Sequence, residues 1–145
     1  MANKFYKERS LSVYAQAGML RRDFPQSKVV KLSRGMLVWQ CDLTPTAISD
    51  TYSIEIRYSD SMQKPEVYVI NPTPLPLFEG AKELPHVYDH KKQRICVHLL
   101  DEWNKTMPIS NTFVPWASRW LNSYETWVVT GKWIGKSYHD GKFTY

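Results

Sequence analysis

The sequence predicts an α+β fold formed by one domain over residues 1–145: an N-terminal helix, an antiparallel β-meander, a long proline-rich loop and a C-terminal helix. Three patterns carry this expectation. Apolar residues recur at helical spacing near the N-terminus, two segments alternate strictly with period two, and an aromatic-rich stripe at helical spacing returns over residues 110–130.

In the first pattern Val13, Ala17, Leu20 and Phe24 form one stripe of an amphipathic helix that ends at Pro25, placing the helix at about Ser10 to Phe24. From Met36 to Leu43, Leu37, Trp39, Cys41 and Leu43 share the more apolar face, so Cys41 is expected to be inert core. Tyr52, Ile54, Ile56 and Tyr58 alternate with Ser53, Glu55, Arg57 and Ser59, the pattern of a strand with one wet face. Pro65 introduces a third strand, Glu66 to Ile70, and the short separators suit an antiparallel meander. Asn71 to Arg94 holds Pro72, Pro74, Pro76 and Pro85 and neither period, which predicts a long irregular segment of the kind that carries function. The last helix runs from about Ser110, a candidate cap, to Thr130, with Gly131 at the left-handed position beyond it. Its stripe of Phe113, Trp116, Ala117, Trp120, Tyr124, Trp127 and Val128 is expected to pack on the sheet, because only Arg119 makes its polar face basic.

A composition of 43% hydrophobic and 14% aromatic residues is enough to build a core and excludes general disorder. With no run of eighteen apolar residues and no apolar leader, the reading is a cytosolic protein without a membrane partner. Two cysteines are too few for a disulfide framework. The formal charge of +5 resides in residues 1–34, which carry +6, so the basic character belongs to the N-terminal segment. No RNA-binding, zinc-finger or helix-turn-helix pattern accompanies it, and no nucleic-acid partner is expected.

The densest chemistry lies in Pro85 to His98 (PHVYDHKKQRICVH), with three of the four histidines and Cys96. If Ile95, Val97 and Leu99 are the buried members of a period-two segment, Cys96 and His98 share the more accessible face, and Cys96 is a candidate nucleophile. Lys91, Lys92 and Arg94 would favour its thiolate if they reach it, whereas Asp101 and Glu102 would oppose it. His86, His90, Cys96 and His98 are also four chemically acceptable zinc ligands, although their spacing matches no metal motif.

The basic helix, the strand entering through KPEVYVINP, the proline-rich loop, His86 ten residues before Cys96 in Ile-Cys-Val, Trp103, and TMPIS opening a helix together resemble the ubiquitin-conjugating enzymes. LPHVY, ICVHLL and NTFVPWASRWLNSYETWVVTGKWIG resemble more closely the bacterial branch of that family encoded in CBASS antiphage operons. The resemblance implies a ubiquitin-conjugating-like fold and a transferase without a cofactor. It implies that Cys96 carries, as a thioester, the C-terminus of a cGAS-like nucleotidyltransferase, with a separate activating protein as a possible second partner. His86 corresponds to the first residue of the family's His-Pro-Asn motif, where it acts chiefly as a brace. Tyr88 stands at the Asn position, so its hydroxyl replaces the amide as the candidate oxyanion donor, with His98 or His90 as a second. The first helix docks activating enzymes in the family, which makes Arg21 and Arg22 candidate partner-binding residues. Two alternatives remain: a catalytically inactive binding module of the same fold, and the zinc domain.

Overall fold

The computed structural model describes residues 9–97 and 102–135, and the backbone alone of 137–139 and 142–144. Lys4, Lys7, His98, Leu99 and Asp101 therefore lie outside the described residues. Helix α1 (Val13–Asp23) begins where Ser12 takes extended backbone and its hydroxyl accepts the Ala15 N–H at 3.1 Å. That cap satisfies one of the helix's orphan donors and sets the start after Ser12 rather than at Ser10. Val13, Ala17 and Leu20 are buried as the stripe predicts, together with Gln16. The Gln16 carboxamide donates to Met107 O at 3.0 Å and accepts the Ile109 N–H at 2.8 Å, tying α1 to the approach to the last helix.

Six strands follow: β1 (Lys28–Ser33), β2 (Met36–Leu43), β3 (Tyr52–Ser59), β4 (Glu66–Asn71), β5 (Val87–Asp89) and β6 (Arg94–Ile95). They form one antiparallel sheet in the order β1-β2-β3-β4-β6-β5. The three expected strands are present in the expected meander, and β2 buries Leu37, Trp39 and Cys41. Cys41 is core, and burial pushes its thiol up, with Asp42 adding to the effect. Two features differ from expectation. The meander gains β1 at its edge, and the segment expected to be irregular contains β5 and the start of β6. In β1, Val29 pairs with Trp39 and Lys31 with Val38, so Val30 is an extra residue that breaks the alternation.

Beyond the sheet, α2 (Phe113–Thr130) starts later than Ser110. Ser110 is buried and is not the cap. A turn on the Ile109 carbonyl, which accepts the N–H of both Thr112 and Val114, precedes the helix. At the other end Gly131 adopts φ 77°, and a Cβ there would stand 2.8 Å from the Phe78 ring, so both backbone and space require glycine. The predicted stripe packs inward: Phe113, Ala117, Trp120, Tyr124 and Trp127 join the core with Val13, Leu20, Trp39, Ile54 and Ile56. Tyr124 meets Tyr52 of β3 edge-on with centroids 6.3 Å apart, while the Tyr52 hydroxyl donates to Glu125 at 2.8 Å. Strands β7 (Ser137–His139) and β8 (Lys142–Thr144) form a separate hairpin.

Burial, with Glu125 adding to it, pushes the Tyr124 phenol up to about 12. An unfolded tyrosine ionises near pH 10. The folded state thus prefers the neutral phenol, a stabilisation fully present below about pH 10 and lost as pH rises through about 12. Urea melts of Tyr124→Phe will therefore show a midpoint that falls less between those limits than the wild-type midpoint does.

Candidate active site

Cys96 follows directly on the two residues of β6, too short a strand to hold it unaided. Its position is set on one side by His86, which adopts φ 51° and presents its carbonyl to two donors. That oxygen accepts the Cys96 N–H at 3.0 Å and the Trp120 indole N–H at 2.9 Å, so the residue before β5 is clamped to both the thiol segment and α2. The His86 ring lies 4.6 Å from Trp133, which in turn meets Trp120 at 5.3 Å. His86 thus sits in an aromatic cluster and holds the Cys96 backbone through its own main chain.

Gln93, just before β6, does the same from the other side. Its side chain is 2% exposed, accepts the Leu75 N–H at 2.7 Å, and donates to the carbonyls of Val69 at 2.9 Å and Pro72 at 3.1 Å. The Gln93 backbone adopts φ 55° and its carbonyl accepts the Val69 N–H at 3.0 Å. The turn between β5 and β6 is tied locally, with Asp89 accepting the Lys92 N–H and the Gln93 N–H donating to His90 O.

Cys96 itself is 4% exposed. The expectation that Cys96 occupies an accessible strand face is corrected. β6 ends at Ile95, so the period-two rule no longer applies, and Ile95, Cys96 and Val97 are all buried. Over the sulfur stands Tyr88, whose hydroxyl is 3.4 Å from Cys96 Sγ and which is itself 42% exposed. Burial, followed by the hydrogen bond and charge of Cys96, pushes the Tyr88 phenol above its ordinary value, so at neutral pH it retains an O–H able to donate.

Two cations flank Tyr88. The Arg94 guanidinium lies 4.6 Å from its ring centroid, and Lys64 Nζ lies 5.5 Å from that centroid and 3.5 Å from the hydroxyl. Arg94 is held 3.7 Å from Glu66, which also accepts from the Tyr68 hydroxyl at 2.9 Å. Arg57 lies over Tyr68 at 4.2 Å and donates to Glu55, which accepts from Gln40. These contacts follow the sheet register Gln40, Glu55, Tyr68, Arg94, and lead across the outer face to Tyr88. Lys91 and Lys92 are exposed on the hairpin turn, so of the three upstream cations Arg94 is the one over Tyr88.

The fold therefore brings Cys96, Tyr88 and His86 together, while His98 lies outside the described residues. Arg21 and Arg22 occupy the last turn of α1, where Arg22 pairs with Asp23 at 2.8 Å. His90 Nδ1 accepts the Leu84 N–H at 3.1 Å. Among the described residues no group of three His, Cys, Asp or Glu side chains is placed to hold a metal. Lys64 carried no signal in the sequence, since it precedes Tyr88 by 24 positions and comes beside it only through the pairing of β4 with β6.

The family model of the Type II CBASS E2 protein matches residues 16–140. The chain belongs to that family. Its place is accordingly in CBASS antiphage defence, in a conjugating-enzyme-like role. No curated protein matches the chain. Among the described residues of this CBASS E2 protein, no helix is long and apolar enough to cross a membrane.

Replacing Gln93 by Ala deprives the buried Leu75 N–H of its acceptor and two carbonyls of a donor. A cost of about 2–4 kcal/mol is expected, taking one to two buried groups left unsatisfied, and equilibrium urea unfolding measures it.

Proposed function

We propose that this CBASS E2 protein is a cysteine-dependent acyl carrier with a ubiquitin-conjugating-like fold formed by residues 1–145 as one domain. Cys96 takes up the C-terminus of a cGAS-like nucleotidyltransferase and passes it to an amine. The acyl group arrives activated, as a thioester on a separate activating protein. The Cys96 thiolate attacks that carbonyl carbon, a new C–S bond forms, and the donor thiolate leaves with its electron pair. An amine then attacks the Cys96 thioester, a C–N bond forms, the amine loses a proton to solvent and the Cys96 thiolate departs. Tyr88 donates its O–H to the oxyanion of each tetrahedral intermediate, the task an amide performs in the eukaryotic relatives. His86 braces the thiol segment through its carbonyl, His98 is a further candidate helper, and Arg21 and Arg22 of the first helix contribute to docking the partner.

The observation that supports this reading is the Tyr88 hydroxyl 3.4 Å from Cys96 Sγ, in a chain of this family. A phenol with its proton retained beside the one cysteine outside the meander is a donor at the point where charge would develop. The 4% exposure of Cys96 favours a second reading, a non-catalytic binding module of the same fold.

Co-expression with the neighbouring gene products distinguishes the two. The transferase yields an adduct on wild type that thiols reverse on non-reducing gels and that Cys96→Ala lacks; no adduct with any pairing leaves the binding module. From a preformed thioester, Tyr88→Phe is expected to slow aminolysis by about 10²-fold, the usual effect of removing one oxyanion donor. An unchanged single-turnover rate would take Tyr88 out of that role.

A further inference from the structure

We propose that Lys64 is a positioning residue that sets the direction of the Tyr88 hydroxyl, so that its proton points at the Cys96 sulfur and at the acyl oxygen bound there. The inference rests on the thioester reading and adds a residue to it.

A phenol oxygen carries one proton and accepts through its lone pairs, whereas an ammonium has three protons and accepts nothing. Lys64 Nζ, 3.5 Å from the Tyr88 oxygen, can therefore only donate to it, at the long end of hydrogen-bonding distance. Lys64 thereby excludes the orientation in which the Tyr88 O–H points toward the β3–β4 connection. The neutral Cys96 thiol also donates to the same oxygen, at 3.4 Å. When Cys96 loses its proton to solvent, that donor vanishes, and the Tyr88 O–H turns to the sulfur as a donor to the thiolate. The ring is meanwhile kept in place by Arg94, 4.6 Å from its centroid, and Arg94 is anchored near Glu66.

Topology explains why Lys64 is available. Val67 pairs with Ile95 in antiparallel register, so the chain before Val67 runs alongside the chain after Ile95. Lys64 thus arrives level with the thiol segment from a loop that no periodic pattern marks. Among the described residues, those that face the thiol and the phenol include Lys64 from the β3–β4 connection, Glu66 from β4, Arg94 from β6 and the His86 carbonyl before β5. The two cations nearest Tyr88 both favour negative charge developing at its hydroxyl end.

The test is the pH dependence of iodoacetamide alkylation of Cys96 in the full-length protein, read by peptide mass spectrometry without any substrate. Lys64→Met is expected to raise the alkylation midpoint by about half to one pH unit, and Lys64→Arg to restore it. In a Tyr88→Phe background Lys64→Met is expected to add no further shift. An equal shift with and without the phenol would mean that Lys64 acts on the thiolate directly through space and would overturn the proposal, as would no shift in the single variant. Lys64 lies in a partly exposed loop, and thermal melts verify that each variant is folded. Because no acyl donor enters the measurement, its failure is separate from a failure to find the thioester adduct.

Discussion

Three segments of chain meet on one carboxamide, and the location of Cys96 follows from that junction. Gln93, the residue just before β6, binds β4 at Val69, the turn beyond it at Pro72, and Leu75. Without that anchor, a two-residue strand and a three-residue strand have little ladder of their own. On the far side the His86 carbonyl accepts from both Cys96 and Trp120, fixing the same segment against α2. Fully satisfied buried polar networks of this kind specify one geometry, because each partial alternative leaves a group unpaired in a low dielectric. Amides and carbonyls thus set the thiol's position together with the core packing of Ile95 and Val97 on either side of it.

Electrostatics at the site is arranged around a phenol. Arg94 and Lys64 both lie against Tyr88, whose hydroxyl is 3.4 Å from the sulfur. The outer face of the sheet supports this arrangement, as Arg94 stands at the end of a ladder of charged and aromatic side chains rooted in β2 and β3. Exposed ion pairs contribute little individually, but here their effect is to hold one side chain over one atom.

Helices and long strands were legible in the sequence because their periods persist over several turns or pleats. The stripe of α1, the alternation of β2 and β3, and the aromatic face of α2 with its glycine stop are all found. β1 was hidden because the extra Val30 breaks its alternation and because an edge strand exposes Lys28, Val30 and Lys31 alike. β5 and β6 are shorter than any period can reveal. At the site, Cys96, Tyr88 and His86 were named from local spacing and family resemblance, and they do meet. The burial of Cys96 is not legible in the sequence, because β6 ends at Ile95 and the alternation expected through Leu99 does not govern the residues after it. Lys64 and Gln93 were invisible for a different reason, since their importance comes from tertiary register and backbone hydrogen bonding, which no window of sequence contains.

A cysteine left 4% exposed also bears on how readily its sulfur is oxidised. Thiolates on a surface meet peroxide and glutathione and climb the oxidation ladder to states that no thiol exchange reverses. With Tyr88 over the sulfur and Cys96 buried, little of the residue is presented to such reagents.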